Sequence, residues 1–158
     1  MQAEKTLFFI KPYIEPEKAL EIISYRNKLL QENKVCFEKM AEFSTPRLPL
    51  EFYMEFYSQI GINFPGVLEI MTRDFASCSC GLIGDVLQGV SITDILREIL
   101  GPRRFEENPS WTIRGRYFSY NNPDMLGHRT VAHASTKDEV DKDFRVFVKY
   151  NLVHKTFS

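Results

Sequence analysis

Strand and helix signals alternate along this chain, which limits it to folds that pack helices on a sheet. The first signal is Thr6-Leu7-Phe8-Phe9-Ile10, a short apolar run rich in aromatic and β-branched residues. It reads as a buried strand that stops at Lys11-Pro12, because proline cannot donate to a ladder. Pro16 then opens a helix with Glu17 and Glu21 in its first turns, and Asn33 is a plausible cap at its end. On that helix Leu20, Ile23, Asn27 and Leu30 form the expected inward stripe. Val35 to Phe43 is a second strand candidate whose alternation breaks near Met40, as a bulge would make it.

After the turn marked by Pro46 and Pro49, short helices are expected over Leu50 to Tyr57 and Phe64 to Thr72. Phe75 to Ile83 reads as a third strand. Gly81, Gly84 and Gly89 lack the Lys-Ser/Thr of a P-loop and the Gly-x-Gly-x-x-Gly of a dinucleotide fold, so they read as turn glycines. The clearest helix is Ser91 to Leu100. Ile92, Ile95, Leu96, Ile99 and Leu100 make one stripe, Ser91 and Asp94 resemble a capping box, and Gly101-Pro102 is a strong stop. Arg97 lies off the stripe. Pro102 to Leu126 is loop-like and long enough to suggest function. Thr130 to His133 is a short strand candidate. Thr136 to Glu139 is a capping box that opens a last helix with Val140, Phe144 and Phe147 facing inward. With no internal repeat, the expectation is one domain over 1–158.

The formal net charge is −1, so no global basic field points to nucleic acid; Arg103-Arg104 is the one local candidate. No apolar run approaches the roughly 18 residues that span a bilayer, and the N-terminus does not read as a signal peptide. The expected compartment is the cytoplasm. Three cysteines, Cys36, Cys78 and Cys80, are too few and odd in number for a disulfide framework. Cys78-x-Cys80 lacks a second ligand pair, so structural thiols are the better reading.

Phosphoryl transfer needs cations to neutralise oxygens and a nucleophile in line. Lys11 at a strand end, Arg97 beside a helix stripe, Arg114 in a glycine-flanked loop and His133 at a strand–helix junction are the candidates, none specific alone. Their order and surroundings are more telling. Lys11-Pro12, Asn63-Phe64-Pro65-Gly66, Leu96-Arg97-x-x-Leu100-Gly101, Thr112-Ile113-Arg114-Gly115 and Arg129-Thr130-Val131-Ala132-His133-Ala134-Ser135 resemble the successive motifs of nucleoside diphosphate kinases. The resemblance runs from about Lys5 to Phe147.

The resemblance implies an α+β, ferredoxin-like sandwich: a four-stranded antiparallel sheet with helices packed on it. It implies ping-pong transfer through phosphorylated His133, with nucleoside di- and triphosphates as partners. Mg²⁺ is the implied cofactor, held by nucleotide phosphates and not directly by protein. A hexamer, tetramer or dimer is the implied assembly. Lys11 would contact phosphate and ribose, Tyr53 would pack beside the histidine, Arg97 and Arg114 would clamp phosphates, and Ser135 would support the site. An acid on the last helix would fix the tautomer of His133, with Asp143 the first choice and Asp141 the second.

The chain departs from the family pattern in places. The base-stacking aromatic falls on Asn63, with Phe64 adjacent, and its neighbour in the base slot on Val67. A phosphate-binding threonine falls on Arg103, an asparagine on Thr130, a glycine on Ala134 and an aspartate on Arg116. Extra length is expected around Phe75 to Val86 and around Ser119 to Gly127. The alternative to an enzyme is a catalytically impaired kinase-like scaffold that acts as an interaction or oligomerisation module.

Overall fold

The computed structural model describes residues 2–103, 108–120 and 127–157. Arg104, and 121–126 of the second expected insertion, lie outside the described residues. The elements are β1 (Ala3–Ile10), α1 (Pro16–Glu32), β2 (Phe37–Ser44), α2 (Leu50–Phe56), α3 (Ser58–Asn63) and α4 (Pro65–Ser77). They are followed by β3 (Ile83–Val90), α5 (Ile92–Leu100), α6 (Ile113–Arg116), β4 (Ala132–Ala134) and α7 (Val140–Lys149). The strands form one sheet in the order β2-β3-β1-β4, antiparallel at every pairing. This is a ferredoxin-like α+β sandwich.

The unbroken apolar run of β1 has a simple cause: helices cover both faces of the sheet. Phe8 and Ile10 point into one core with α1 and α5. Leu7 and Phe9 point into the other with α2, α4 and α7. A strand covered on both sides needs apolar residues at successive positions. The β4 strand follows the same pleat. Ala132 and Ala134 enter the α1–α5 core, which leaves His133 on the opposite face.

Several expectations are corrected. The buried face of α1 is Ala19, Ile22, Arg26, Leu29 and Leu30, so of the expected stripe only Leu30 is fully buried, while Leu20 is 58% exposed. The cause is an ion pair invisible to a hydrophobic count. Arg26 is fully buried and meets Asp85 of β3 bidentately, at 2.5 and 2.7 Å, with Phe8 beneath its guanidinium at 4.7 Å. Breaking such a pair from one side costs about 3–5 kcal/mol. The third strand is Ile83–Val90, since Phe75 to Ser77 complete α4. Gly84 and Gly89 are therefore strand residues and not turns. At Gly84 a Cβ would strike the Phe8 carbonyl and the Phe9 backbone, so close approach of β1 requires glycine there.

Ser91 adopts a left-handed conformation, φ 57°, and makes no side-chain cap. Glu4 of β1 takes over by accepting the Thr93 N–H at 3.0 Å. The capping box of α7 does form in part, with the Thr136 N–H donating to Glu139 Oε1 at 3.0 Å. The β2 bulge falls between Lys39 and Ala41, at Met40. The expected loop after Pro102 carries the short helix α6, nucleated by Thr112, whose hydroxyl accepts the Gly115 N–H. No described helix is long and apolar enough to cross a membrane.

Candidate active site

The sheet pleat brings the first two site residues together. Phe9 of β1 pairs directly with His133 of β4, and their rings stack with centroids 5.0 Å apart. Lys11 lies two residues beyond Phe9, so it emerges on the same face. Its backbone N–H donates to the Val131 carbonyl at 3.0 Å, which extends the β1–β4 pairing.

The approach to β4 is a tight turn on Val131. That residue takes φ 74°, and the Ala132 N–H donates to the Thr130 carbonyl at 2.9 Å, which defines a γ-turn. Positive φ on a β-branched residue is strained by about 1–3 kcal/mol and survives only where its surroundings impose it. Here the Val131 N–H donates to the Tyr13 hydroxyl at 2.8 Å, and the Val131 side chain is fully buried.

His133 Nε2 is held 2.8 Å from Asp143 Oδ2 on α7, and the Ser135 hydroxyl donates to the same oxygen at 2.6 Å. Lys142 Nζ lies 2.9 Å from Oδ1, an ion contact without hydrogen-bond alignment. Burial raises the Asp143 carboxyl, but the His133 hydrogen bond, the His133 and Lys142 charges and the Ser135 hydroxyl outweigh it, and the net shift is downward. An ionised Asp143 accepts the Nε2 proton, which directs the Nδ1 lone pair outward. Among the described residues Nδ1 has no hydrogen-bond partner. Asp141 is exposed, so the first of the two expected acids is the one that meets the ring.

In front of His133 is a cavity of about 160 Å³ whose wall includes Lys11, Arg97, Arg103, Arg114 and Thr130. Lys11 Nζ donates to Thr130 Oγ1 at 2.7 Å and to the His128 carbonyl at 2.9 Å. Burial, then the charges of Arg114, Arg103 and Arg97, lower its pKa well below the ordinary lysine value. Arg114 donates to the Thr130 and Gly101 carbonyls at 3.0 and 2.9 Å, and to Thr130 Oγ1 and the Ala132 carbonyl at 3.3 and 3.2 Å. Burial beside Arg97 and Arg103 pushes it down to about 9, which still leaves it charged at neutral pH. Arg114 thus ties α6 to the strained turn and gives the cavity charge more than spare donors. Arg97 commits one donor, to the Ala134 carbonyl at 3.2 Å, and is half-buried at the cavity wall.

Three expected residues stand elsewhere. Tyr53 does not line the cavity; it packs on Phe52 and Phe75. Phe56 and Tyr57 take the place beside the histidine, with ring centroids 5.1 and 6.4 Å from it. Tyr57 follows Tyr53 by one helical turn on the same face, so the i, i+4 spacing was the available signal. Its hydroxyl is buried at the cavity wall and has no hydrogen-bond partner among the described residues. Phe64 and Val67, at the α3–α4 corner, lie outside the cavity, and Phe64 is 62% exposed. Glu139 and Lys142 line the cavity unforeseen, because only the α7 geometry turns them toward it.

The donor set bears on Mg²⁺. Glu139 is the single acid among the described cavity residues. Although His133, Glu139 and Asp143 bring ligand atoms within 4.8 Å of one another, Asp143 already receives His133, Ser135 and Lys142. A wall of cations with one carboxylate suits a metal carried on phosphate oxygens, the usual habit of Mg²⁺.

No protein-family model matches the chain, and no curated protein matches it by sequence. Solved structures do. A nucleoside diphosphate kinase from Borrelia burgdorferi with bound vanadate and ADP superposes with a TM-score of 0.74 at 18% identity, over 97% of this chain and 91% of that one. The Aquifex aeolicus nucleoside diphosphate kinase gives 0.66 at 23% identity, over 92% and 94%. The Halobacterium salinarum enzyme in complex with CDP gives 0.63 at 20% identity, over 92% and 88%. At identities this low the likeness is one of architecture: the chain has the fold of the nucleoside diphosphate kinases.

Proposed function

We propose that this protein, as one domain over 1–158, transfers the γ-phosphoryl group of a nucleoside triphosphate to a nucleoside diphosphate through His133. The observation that carries the reading is the pinned imidazole: Nε2 is bound to Asp143 while Nδ1 faces a cavity walled by Lys11, Arg97, Arg103 and Arg114. In the first half-reaction Nδ1 attacks the γ-phosphorus. The N–P bond forms, the bond to the β-bridging oxygen breaks, and the nucleoside diphosphate leaves. The Nε2 proton stays on its hydrogen bond to Asp143, whose charge stabilises the imidazolium-like ring. A second diphosphate then takes the phosphoryl group by the reverse path.

Each residue has a role that follows from its setting. Lys11 and Thr130 meet the phosphate oxygens nearest the histidine, and Arg114 supplies fixed charge behind them. Arg97 and Arg103 at the wall bind the outer phosphates, where a planar fork suits oxygens in pairs. Tyr57 offers its buried hydroxyl to the same group, and Ser135 keeps Asp143 aimed. Mg²⁺ bound to the phosphates would screen their charge. Phe64 and Val67 would receive the base on an open surface. The ligands named for the Borrelia burgdorferi and Halobacterium salinarum structures, ADP and CDP, support a nucleotide in this cavity. We place the protein in the cytoplasm, as a homo-oligomer.

The test is a chase. Protein labelled with γ-labelled ATP and Mg²⁺, then freed of nucleotide, should pass its label to added GDP and yield labelled GTP. Label that stays on protein, or appears only as inorganic phosphate, rejects the transferase. No label at all favours the scaffold reading, to which the exposed Phe64 surface would then belong.

A further inference from the structure

A second polar cluster lies behind Lys11 and lines no part of the cavity. Asp74, near the end of α4, receives both neighbours of a single dipeptide. Arg129 donates to it bidentately, Nε to Oδ2 at 2.8 Å and a terminal nitrogen to Oδ1 at 2.7 Å. His128 Nε2 lies 2.7 Å from Oδ2. The Arg129 hydrogen bond lowers the Asp74 carboxyl, with help from His128 against partial burial, so the anchor is a carboxylate. The His128 side chain is 1% exposed, and its edge meets Phe75 with centroids 5.4 Å apart.

Both arms of this clamp reach the site. The His128 carbonyl accepts Lys11 Nζ, and Phe75, the ring that packs His128, also lies under that ammonium at 5.7 Å. The Arg129 guanidinium covers the Tyr13 ring at 4.9 Å, and the Tyr13 hydroxyl accepts the Val131 N–H. That N–H belongs to the strained turn which delivers His133. One carboxylate on a helix thus secures the cation and the nucleophile's turn by separate contacts.

We propose that Asp74 is a positioning residue for the candidate site, acting on Lys11 through His128 and on the Val131 turn through Arg129. The catalytic consequence rests on the phosphoryl-transfer reading; the positioning itself does not. A short turn held against its φ preference needs such an external constraint, and a buried ammonium needs its acceptors fixed. Removal of Asp74 lets the 128–131 segment relax, so Lys11 loses an acceptor and gains access to solvent.

The test reads Lys11 directly. The whole protein and its Asp74→Ala, His128→Ala and His128→Gln variants are exposed to trace acetic anhydride, and acetylation of each lysine is followed by peptide mass spectrometry. Amide hydrogen exchange of β1 and β3 runs alongside. Asp74→Ala should raise the Lys11 rate about tenfold by local opening, with core exchange unchanged. His128→Ala should follow it, and His128→Gln, which keeps a donor for Asp74, should stay near wild type. Phosphohistidine formation should slow in step, by about ten- to a hundredfold, as expected when a catalytic group is displaced by an ångström or less. Lys11 reactivity equal to wild type, or raised only together with core exchange, overturns the proposal. If Asp74→Ala does not fold, the isosteric Asp74→Asn is read by the same criteria. A wild type that takes no label rejects the phosphoryl-transfer reading, while Lys11 reactivity still decides the positioning.

Discussion

The surroundings of the histidine and the α3–α4 corner are built differently. Around the histidine Lys11, Thr130, Arg114, Asp143 and Ser135 are all buried and bonded to one another or to the backbone. Lys11 and Ser135 follow the paired strands β1 and β4, Arg114 and Asp143 stand on α6 and α7, and Thr130 lies in the turn that Arg114 bonds. At the α3–α4 corner Ile62, Phe64 and Ile70 are exposed, and Phe64 contributes a ring to no described stack. Phosphate chemistry requires a charged nucleophile site fixed to a fraction of an ångström, whereas a stacked base tolerates displacement. On the proposed reading, the contrast places selective precision on the transferred group and little on the base.

Substitutions can break that contrast, beginning where the effect is greatest. Lys11→Ala should cut the single-turnover rate of histidine phosphorylation by about 10²–10³, the scale of losing one preorganised charge donor, with a much smaller loss of ADP affinity. A loss confined to affinity would mean that Lys11 is a binding group only. Asp143→Asn should cost about a hundredfold through the wrong tautomer and a loosened ring. It also has a signature in acid. The net shift of the Asp143 carboxyl is below its unfolded value of about 3.9, so its stabilisation is full above that pH and is lost as pH falls through the folded value. Thermal melts of Asp143→Asn should show a flatter acid limb than wild type; parallel limbs would contradict the assignment.

The depressed Lys11 pKa sets a milder effect. The free site loses this charge at a lower pH than an ordinary lysine would, so ADP affinity should weaken as pH rises through that range. Titration calorimetry over a pH series running up to the ordinary lysine range checks it, and Lys11→Met should remove the dependence. Phe64→Ala should matter least: about 1 kcal/mol, or a fivefold rise in KM, with kcat nearly constant. A drop in kcat at Phe64 of the size expected at Lys11 would erase the distinction between the two regions.

The same contrast governs what the sequence disclosed. Local patterns were legible: the β1 run, the α5 stripe with its Gly101-Pro102 stop, the Asn33 cap and the α7 capping box all appear where the residues indicate. His133, Asp143, Arg97 and Arg114 meet at one cavity or support it, because strand ends and loops with short motifs carry them. Long-range pairings were not legible. The Arg26–Asp85 pair rotates the buried face of α1, and the fit of Gly84 against β1 places a strand where glycines suggested turns. Tyr57 replaces Tyr53 because α2 ends at Phe56 and turns its last aromatics toward His133. The Asp74 clamp joins residues more than fifty positions apart, and nothing in either segment alone announces it.

The most direct measurement is mass spectrometry and ³¹P NMR of the intact protein after brief exposure to ATP and Mg²⁺. An acid-labile phosphoramidate on Nδ1 of His133 is expected, abolished in His133→Ala and discharged by ADP. A wild-type protein that stays unmodified, or that carries phosphate on another residue or on Nε2, would contradict the role given to the pinned imidazole.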